Sequence, residues 1–211
     1  ILTKHPEVDV VQIQLNYLDW ENETIQSRAC YEVCVKHGKP VIVMEPIKGG
    51  NLINIPEKAL TKMKAYNPDA STASWALRFA ASQPNVMMVL SGMGNMDMIQ
   101  DNINSFIDFK PLNAKEQAAT DRAREIIREV RQIPCTKCNY CSEVCGINIP
   151  ISEIFSIYNK VLSAKISRCE AKELLSKENA QAGDCIKCGK CEKICPQNIN
   201  IKENLEKISK L

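Results

Sequence analysis

The sequence predicts an α/β domain built of parallel βα units, followed by a smaller helical module. Three observations predict it. Short β-branched apolar runs alternate with helix-patterned segments up to about residue 133; nine of the 11 cysteines lie beyond Pro134; and eight of those nine form two quartets of identical spacing.

Taken in order, Val8 to Leu15 (VDVVQIQL) is apolar and β-branched, broken by Asp9 and two glutamines, and reads as a buried strand. Thr24 to His37 has helical periodicity, and Gly38 follows where a glycine C-cap belongs. Val41 to Met44 (VIVM) is a second strand, closed by Pro46 and the Gly49-Gly50 pair. Residues 57–65 suit a short helix. Ser71 caps a helix running to about Ser82, with Trp75, Leu77, Phe79 and Ala80 on its apolar positions. Val86 to Leu90 (VMMVL) is a third buried run, Met96 to Phe106 a helix, and Asn113 with Glu116 a capping-box-like start to a longer one. Strands with such continuous apolar runs belong to parallel sheets covered on both faces. A complete eight-stranded barrel needs roughly 250 residues, so three units in a barrel would be its C-terminal part.

A hydrophobic content of 45%, a charged content of 25% and a net charge of +2 describe an ordinary globular chain, with no general attraction for nucleic acid or membrane. No stretch approaches the roughly 20 apolar residues of a membrane span. The chain opens on Ile1 without a recognisable secretory segment, and the expectation is that it starts inside a longer protein. With an odd cysteine count, this argues against a disulfide framework and for a reducing, cytoplasmic compartment.

Beyond Pro134 the chain repeats itself. Subtracting 50 from Cys185, Cys188, Cys191 and Cys195 returns Cys135, Cys138, Cys141 and Cys145, and Lys187, Asn198, Ile199 and Ile201 return Lys137, Asn148, Ile149 and Ile151. The spacing C-x2-C-x2-C-x3-C lets three thiolates wrap one cubane face while the fourth points away. In two-cluster ferredoxins that fourth cysteine ligates the other cluster. One [4Fe–4S] cluster then takes Cys135, Cys138, Cys141 and Cys195, and the second takes Cys185, Cys188, Cys191 and Cys145. Structural zinc, the competing reading, favours two separated C-x2-C pairs. The linker Ile151 to Lys177 is amphipathic and helix-favouring.

The first part, residues 1–133, resembles the C-terminal half of aldo/keto reductases, in particular the ferredoxin-fused subfamily. Val10-Val11-Gln12-Ile13-Gln14-Leu15-Asn16-Tyr17 looks like the sixth barrel strand, with Gln12 at the position that contacts the nicotinamide carboxamide. Val43-Met44-Glu45-Pro46-Ile47-Lys48-Gly49-Gly50 looks like the seventh strand and the pyrophosphate-side loop; Met44 stands where the family often stacks an aromatic ring, and Glu45, Ile47 and Gly49 follow. Val89-Leu90-Ser91-Gly92-Met93-Gly94, with Asp101-Asn102, looks like the eighth strand and the adenine-side helix. The resemblance implies the C-terminal part of a (β/α)8 TIM barrel and a nucleotide held by Gln12, Met44, Glu45, Ile47, Gly49, Gly92, Met93, Asp101 and Asn102. The second part, residues 134–211, resembles the α-helical ferredoxin domains of multi-subunit reductases, although Gly146 replaces the proline usual after a fourth cysteine.

The family's catalytic Asp, Tyr, Lys and His lie on its first four strands, so no residue here is assigned to catalysis. The lysine and arginine that grip a 2′-phosphate correspond to Gly92 and Met98, which leaves NAD, NADP or neither open. A hydride carries two electrons and a cluster takes one, so flavin stays open as a converter. Two functions follow: an iron–sulfur oxidoreductase acting on a small-molecule substrate, or a non-catalytic electron-transfer module serving a redox partner. Lys137, Lys187, Lys190 and Lys193 either steer an acidic partner or form a solvated face. Cys30 and Cys34 read as buried apolar thiols, and Met87, Met88, Met93, Met96 and Met98 as mixed strand and helix packing.

Overall fold

The computed structural model describes residues 1–130, 132–163 and 165–211. They divide into two compact units, Ile1–Glu129 and Val130–Leu211.

The first unit carries three strands, β1 (Val11–Gln14), β2 (Val41–Met44) and β3 (Val86–Val89), in one parallel sheet of order β1-β2-β3. β1 pairs with β2 from Val11 opposite Val41 to Gln14 opposite Met44, and the β2–β3 ladder shifts register between Val41 and Ile42. Helices α1 (Ser27–Lys36), α2 (Glu57–Lys64), α3 (Thr72–Ala81), α4 (Met96–Phe106) and α5 (Ala114–Glu129) connect and follow the strands. Local chemistry explains their ends. Gly38 takes φ +61° after α1, a left-handed turn that costs glycine little. Ser71 accepts the Ser74 N–H at 2.9 Å to cap α3, and Asn95 accepts the Met98 N–H at 2.9 Å to cap α4. Asn113 and Glu116 exchange side-chain bonds to each other's backbone N–H at 3.1 and 2.9 Å, a full capping box for α5.

The core gathers around Trp75, Tyr17, Phe79, Leu15, Leu52 and Met63, all fully buried. Only β2 reads as a buried strand, with Val41 and Val43 inside; β3 is half-exposed, contrary to its apolar run. The methionine packing expected from sequence is likewise corrected. Met87, Met88, Met93, Met96 and Met98 are all exposed, because β3 is an edge strand and α4 buries none of its residues. Cys34 is buried as expected, but Cys30 is exposed.

The second unit is helical among the described residues. α6 (Tyr140–Glu143), α7 (Ile151–Leu162), α8 (Arg168–Leu175), α9 (Lys190–Ile194) and α10 (Ile201–Ile208) surround a core of Ile149, Ile151, Ile154, Phe155, Ile201 and Leu205. The amphipathic linker forms two helices, α7 and α8, with residue 164 outside the described residues. Ser167 and Glu170 form a capping box at the start of α8.

Candidate functional site

Parallel strands send all their C-terminal ends to one side of a sheet, and the loops there surround a cavity of about 570 Å³, within the usual range for small-molecule sites. Met44, Glu45, Ile47 and Gly49 enter it from the end of β2; Gly92, Met93, Asp101 and Asn102 enter from the end of β3 and from α4. Eight residues singled out from sequence therefore share one cavity. Gln12 does not line it; its amide donates to the Met44 sulfur at 3.4 Å from the neighbouring strand. Asp101 accepts from the Ser71 hydroxyl at 2.7 Å, and Asn102 donates to the Ser91 hydroxyl at 3.0 Å.

The walls are mostly apolar, and the charged groups among the lining residues are the carboxylates Glu45 and Asp101. The nearby cation is turned away. Lys48 is 3% exposed and places its Nζ 2.7 Å from both oxygens of Asp19, itself 1% exposed. Asp19 also accepts from Gln14 at 2.8 Å and Asn16 at 2.9 Å, and Asn16 donates to the Glu45 carbonyl at 3.0 Å. This network holds the loop after β2 in an unusual shape: Glu45 and Lys48 take φ of 51° and 49°, the left-handed region that non-glycine residues enter at a cost. Sequence reading missed the network because Asp19 and Lys48 are 29 residues apart and each looks like a surface charge. Tyr17, one residue beyond Asn16, faces the core and meets Phe79 edge-on at 6.1 Å; burial holds its phenol well above the usual range. It is not positioned to give a proton to the cavity.

In the second unit the repeat extends to backbone shape. Lys137, Asn139 and Asn148 take φ of 58°, 66° and 58°, and their counterparts Lys187, Gly189 and Asn198 take 56°, 77° and 50°. The bond from Asn148 N–H to Cys145 O (2.9 Å) recurs from Asn198 to Cys195 (3.1 Å), and that from Ile151 to Ile149 (2.8 Å) recurs from Ile201 to Ile199 (2.8 Å). Burial repeats too: the first and fourth cysteines of each quartet are half-buried, the second exposed and the third buried. Left-handed residues alternating with others turn successive N–H groups toward one point, a shape found at many iron–sulfur sites.

The quartets interleave. Burial pushes the Cys141 thiol up to about 11, and the adjacent Cys135, Cys138 and Cys195 thiols push it the same way. Burial also raises Cys135, with Cys138 and Cys195 adding to it. Cys145 lines a small cavity together with Cys185, Cys188 and Cys191. Among the described residues no group of three or more His, Cys, Asp or Glu side chains is arranged to hold a single metal ion. A cubane needs a wider spread, since each of its thiolates binds a different iron. The donor set, eight soft thiols in two groups of four with amide-rich loops, therefore fits iron–sulfur clusters. The Thr136 hydroxyl, buried beside Cys135, has no hydrogen-bond partner among the described residues.

Comparison with known families decides the classification of the first unit. The aldo/keto reductase family model matches residues 1–125. The chain belongs to the aldo/keto reductase family. The model of a 4Fe-4S dicluster domain matches residues 134–201 of this family member. Two solved structures of aldo-keto reductase AKR11C1 from Bacillus halodurans, in holo and apo form, are similar at 18% identity and a TM-score of 0.44, covering 58% of this chain. The chain spans 46% of the length of that protein. No curated protein matches. No helix among the described residues is long and apolar enough to cross a membrane.

Proposed function

We propose that this aldo/keto reductase family chain is part of an iron–sulfur oxidoreductase in which two [4Fe–4S] clusters relay electrons for a reaction on a small-molecule substrate. The carrying observation is the interleaving of the two cysteine groups: Cys195 stands with Cys135, Cys138 and Cys141, and Cys145 with Cys185, Cys188 and Cys191. These are the ligand sets we assign. When bound, each cluster supplies one-electron chemistry. The protein supplies the thiolates, the apolar packing of Cys141 and Cys191 in the helical core, and loop N–H groups near the sulfurs. Because burial raises Cys135, Cys141 and Cys191, loading the clusters must displace protons from these thiols.

The cavity at the sheet's C-terminal edge is the candidate place for the nicotinamide nucleotide, NAD or NADP, with Gln12 supporting Met44 beneath it; a flavin remains the alternative occupant. Left-handed Gly49 and Gly50, at φ 59° and 88°, let the backbone approach a ligand closely where no lining side chain brings a positive charge. The barrel portion is the scaffold of this site in our reading. That absence of a lining cation favours the second reading, in which the first unit is a scaffold and the chain only passes electrons to a redox partner.

Anaerobic purification with iron, acid-labile sulfide and flavin analysis tests the proposal. About eight iron and eight sulfide per chain are expected, and stoichiometric zinc without sulfide overturns it. Tight NADH binding at the cavity separates the first reading from the second.

A further inference from the structure

The two copies of the cysteine module share backbone shape, ligand spacing and cysteine burial. Any difference between their clusters must come from the other side chains. Three lysines, Lys187, Lys190 and Lys202, line the cavity that holds Cys145, Cys185, Cys188 and Cys191, and no carboxylate is among its lining residues. The matching positions in the first copy are Lys137, Tyr140 and Ser152, one cation in place of three.

The partners of these lysines sharpen the contrast. Lys187 pairs with Glu206 at 2.8 Å and Lys202 with Glu192 at 3.1 Å; Glu192 is off the cavity wall, but its carboxylate acts on the adjacent Cys191 and offsets Lys202, so the uncompensated cation of the wall is Lys190. Lys190 is exposed and makes no ion pair among the described residues, whereas its counterpart Tyr140 is neutral. Lys137 pairs with Glu153 at 3.8 Å. The replacement at the fourth position of the loop is linked to this. Asn139 accepts a hydrogen bond from the Ser152 hydroxyl in the first copy. In the second copy the residue is Gly189, and Lys202 Nζ lies 3.8 Å from where a glycine-replacing Cβ would stand. A change from amide to glycine thus accompanies a change from hydroxyl to cation.

Resting on the two-cluster reading, we infer that the clusters are unequal. The cluster of Cys145, Cys185, Cys188 and Cys191 has the higher reduction potential and holds the electron of the half-reduced domain. Reduction adds one negative charge to a cluster, and its potential follows local charge, hydrogen bonds to sulfur and exposure. The cysteines are matched in exposure position by position, while Thr136 is buried where its counterpart Ile186 is exposed. Hydroxyl bonds from Thr136 and from Ser142, which already bonds Cys141, would raise the first cluster's potential, but such neutral hydrogen bonds count for less than an uncompensated ammonium at the wall of the other site. The electron comes from a low-potential one-electron donor; no bond is made or broken in its transfer.

The test is an anaerobic redox titration of the full chain with dithionite, followed by electron paramagnetic resonance and bleaching of visible absorption. Two one-electron steps are expected. Lys190→Tyr lowers the upper step about tenfold in its one-electron equilibrium, which is 59 mV, and leaves the lower step in place. Tyr140→Lys raises the lower step by a similar factor and leaves the upper one. Iron and sulfide are measured on each variant, so a collapsed protein is recognised as such, and the two variants act on different modules. Coincident steps in the parent protein, or Lys190→Tyr moving the lower step, overturn the inequality while leaving two clusters intact. Iron and sulfide well short of two clusters in the parent protein overturn the reading beneath it.

Discussion

Removing one partner from the buried Asp19–Lys48 pair should severely weaken the first unit. Lys48→Met leaves the Asp19 carboxylate 1% exposed with no cation against it, and Asp19→Asn strands the Lys48 ammonium at 3% exposure. Breaking a buried pair in this way costs about 3–5 kcal/mol, out of the roughly 5–15 kcal/mol that holds a typical domain folded. For the unit Ile1–Glu129, an unfolding entropy of about 2.1 cal/mol/K per residue makes this a fall in Tm of roughly 11–18 °C. The assay is built into the sequence. Trp20 and Trp75 are the two tryptophans and both lie in the first unit, so fluorescence during urea or thermal unfolding reports that unit alone. The double variant Asp19→Leu/Lys48→Met should recover most of the loss, because a well-packed apolar pair removes both desolvation costs. Two results would refute the reasoning. One is a cost below about 1 kcal/mol for each single variant, the level of an exposed pair; the other is a double variant no more stable than the singles.

Three further outcomes are expected. Cys145→Ser should alter the spectrum of the cluster held by Cys185, Cys188 and Cys191, and Cys135→Ser that of the other; damage to the same cluster by both would show local ligation. Burial pushes the Glu116 carboxyl up, but hydrogen bonds from Arg78 and the Asn113 backbone outweigh it and hold it below the usual 4.5. Its stabilising contribution is therefore complete above pH 4.5 and disappears as the pH falls through its lower folded value, so the Tm gap between the parent and Glu116→Gln should shrink in acid and persist at pH 7. NADH should bind the cavity at least as tightly as NADPH, since Gly92 and Met98 bring no cation and Lys48 is engaged with Asp19; fluorescence titration showing strong NADPH preference would contradict this.

Much of the architecture was legible because it is governed by local chemistry. The strand Val41–Met44 and the helix Met96–Phe106 appear with the bounds read from their pattern, and Ser71, Asn113 and Gly38 end their helices as their side chains or lack of one require. The alternation of elements also implied the parallel sheet, since parallel neighbours need crossover helices. Burial was less legible. Val86–Val89 and β2 have similar apolar composition, yet one is half-exposed and the other buried, because burial depends on what lies beside a strand and not on its own residues. The same reason misplaced the five methionines around β3 and α4.

The sequence by itself determined the spacing of the two cysteine quartets and their 50-residue repeat, because each is encoded by short-range order along the chain; the resemblance to aldo/keto reductases pointed to eight of the residues that line the cavity. Only the tertiary structure decided that Lys48 turns from the cavity to Asp19 and that lysines gather at one cysteine group rather than the other. These are relations between groups far apart in sequence. They depend on the close packing that brings the groups together and on the energetic demand that a buried charge find its partner.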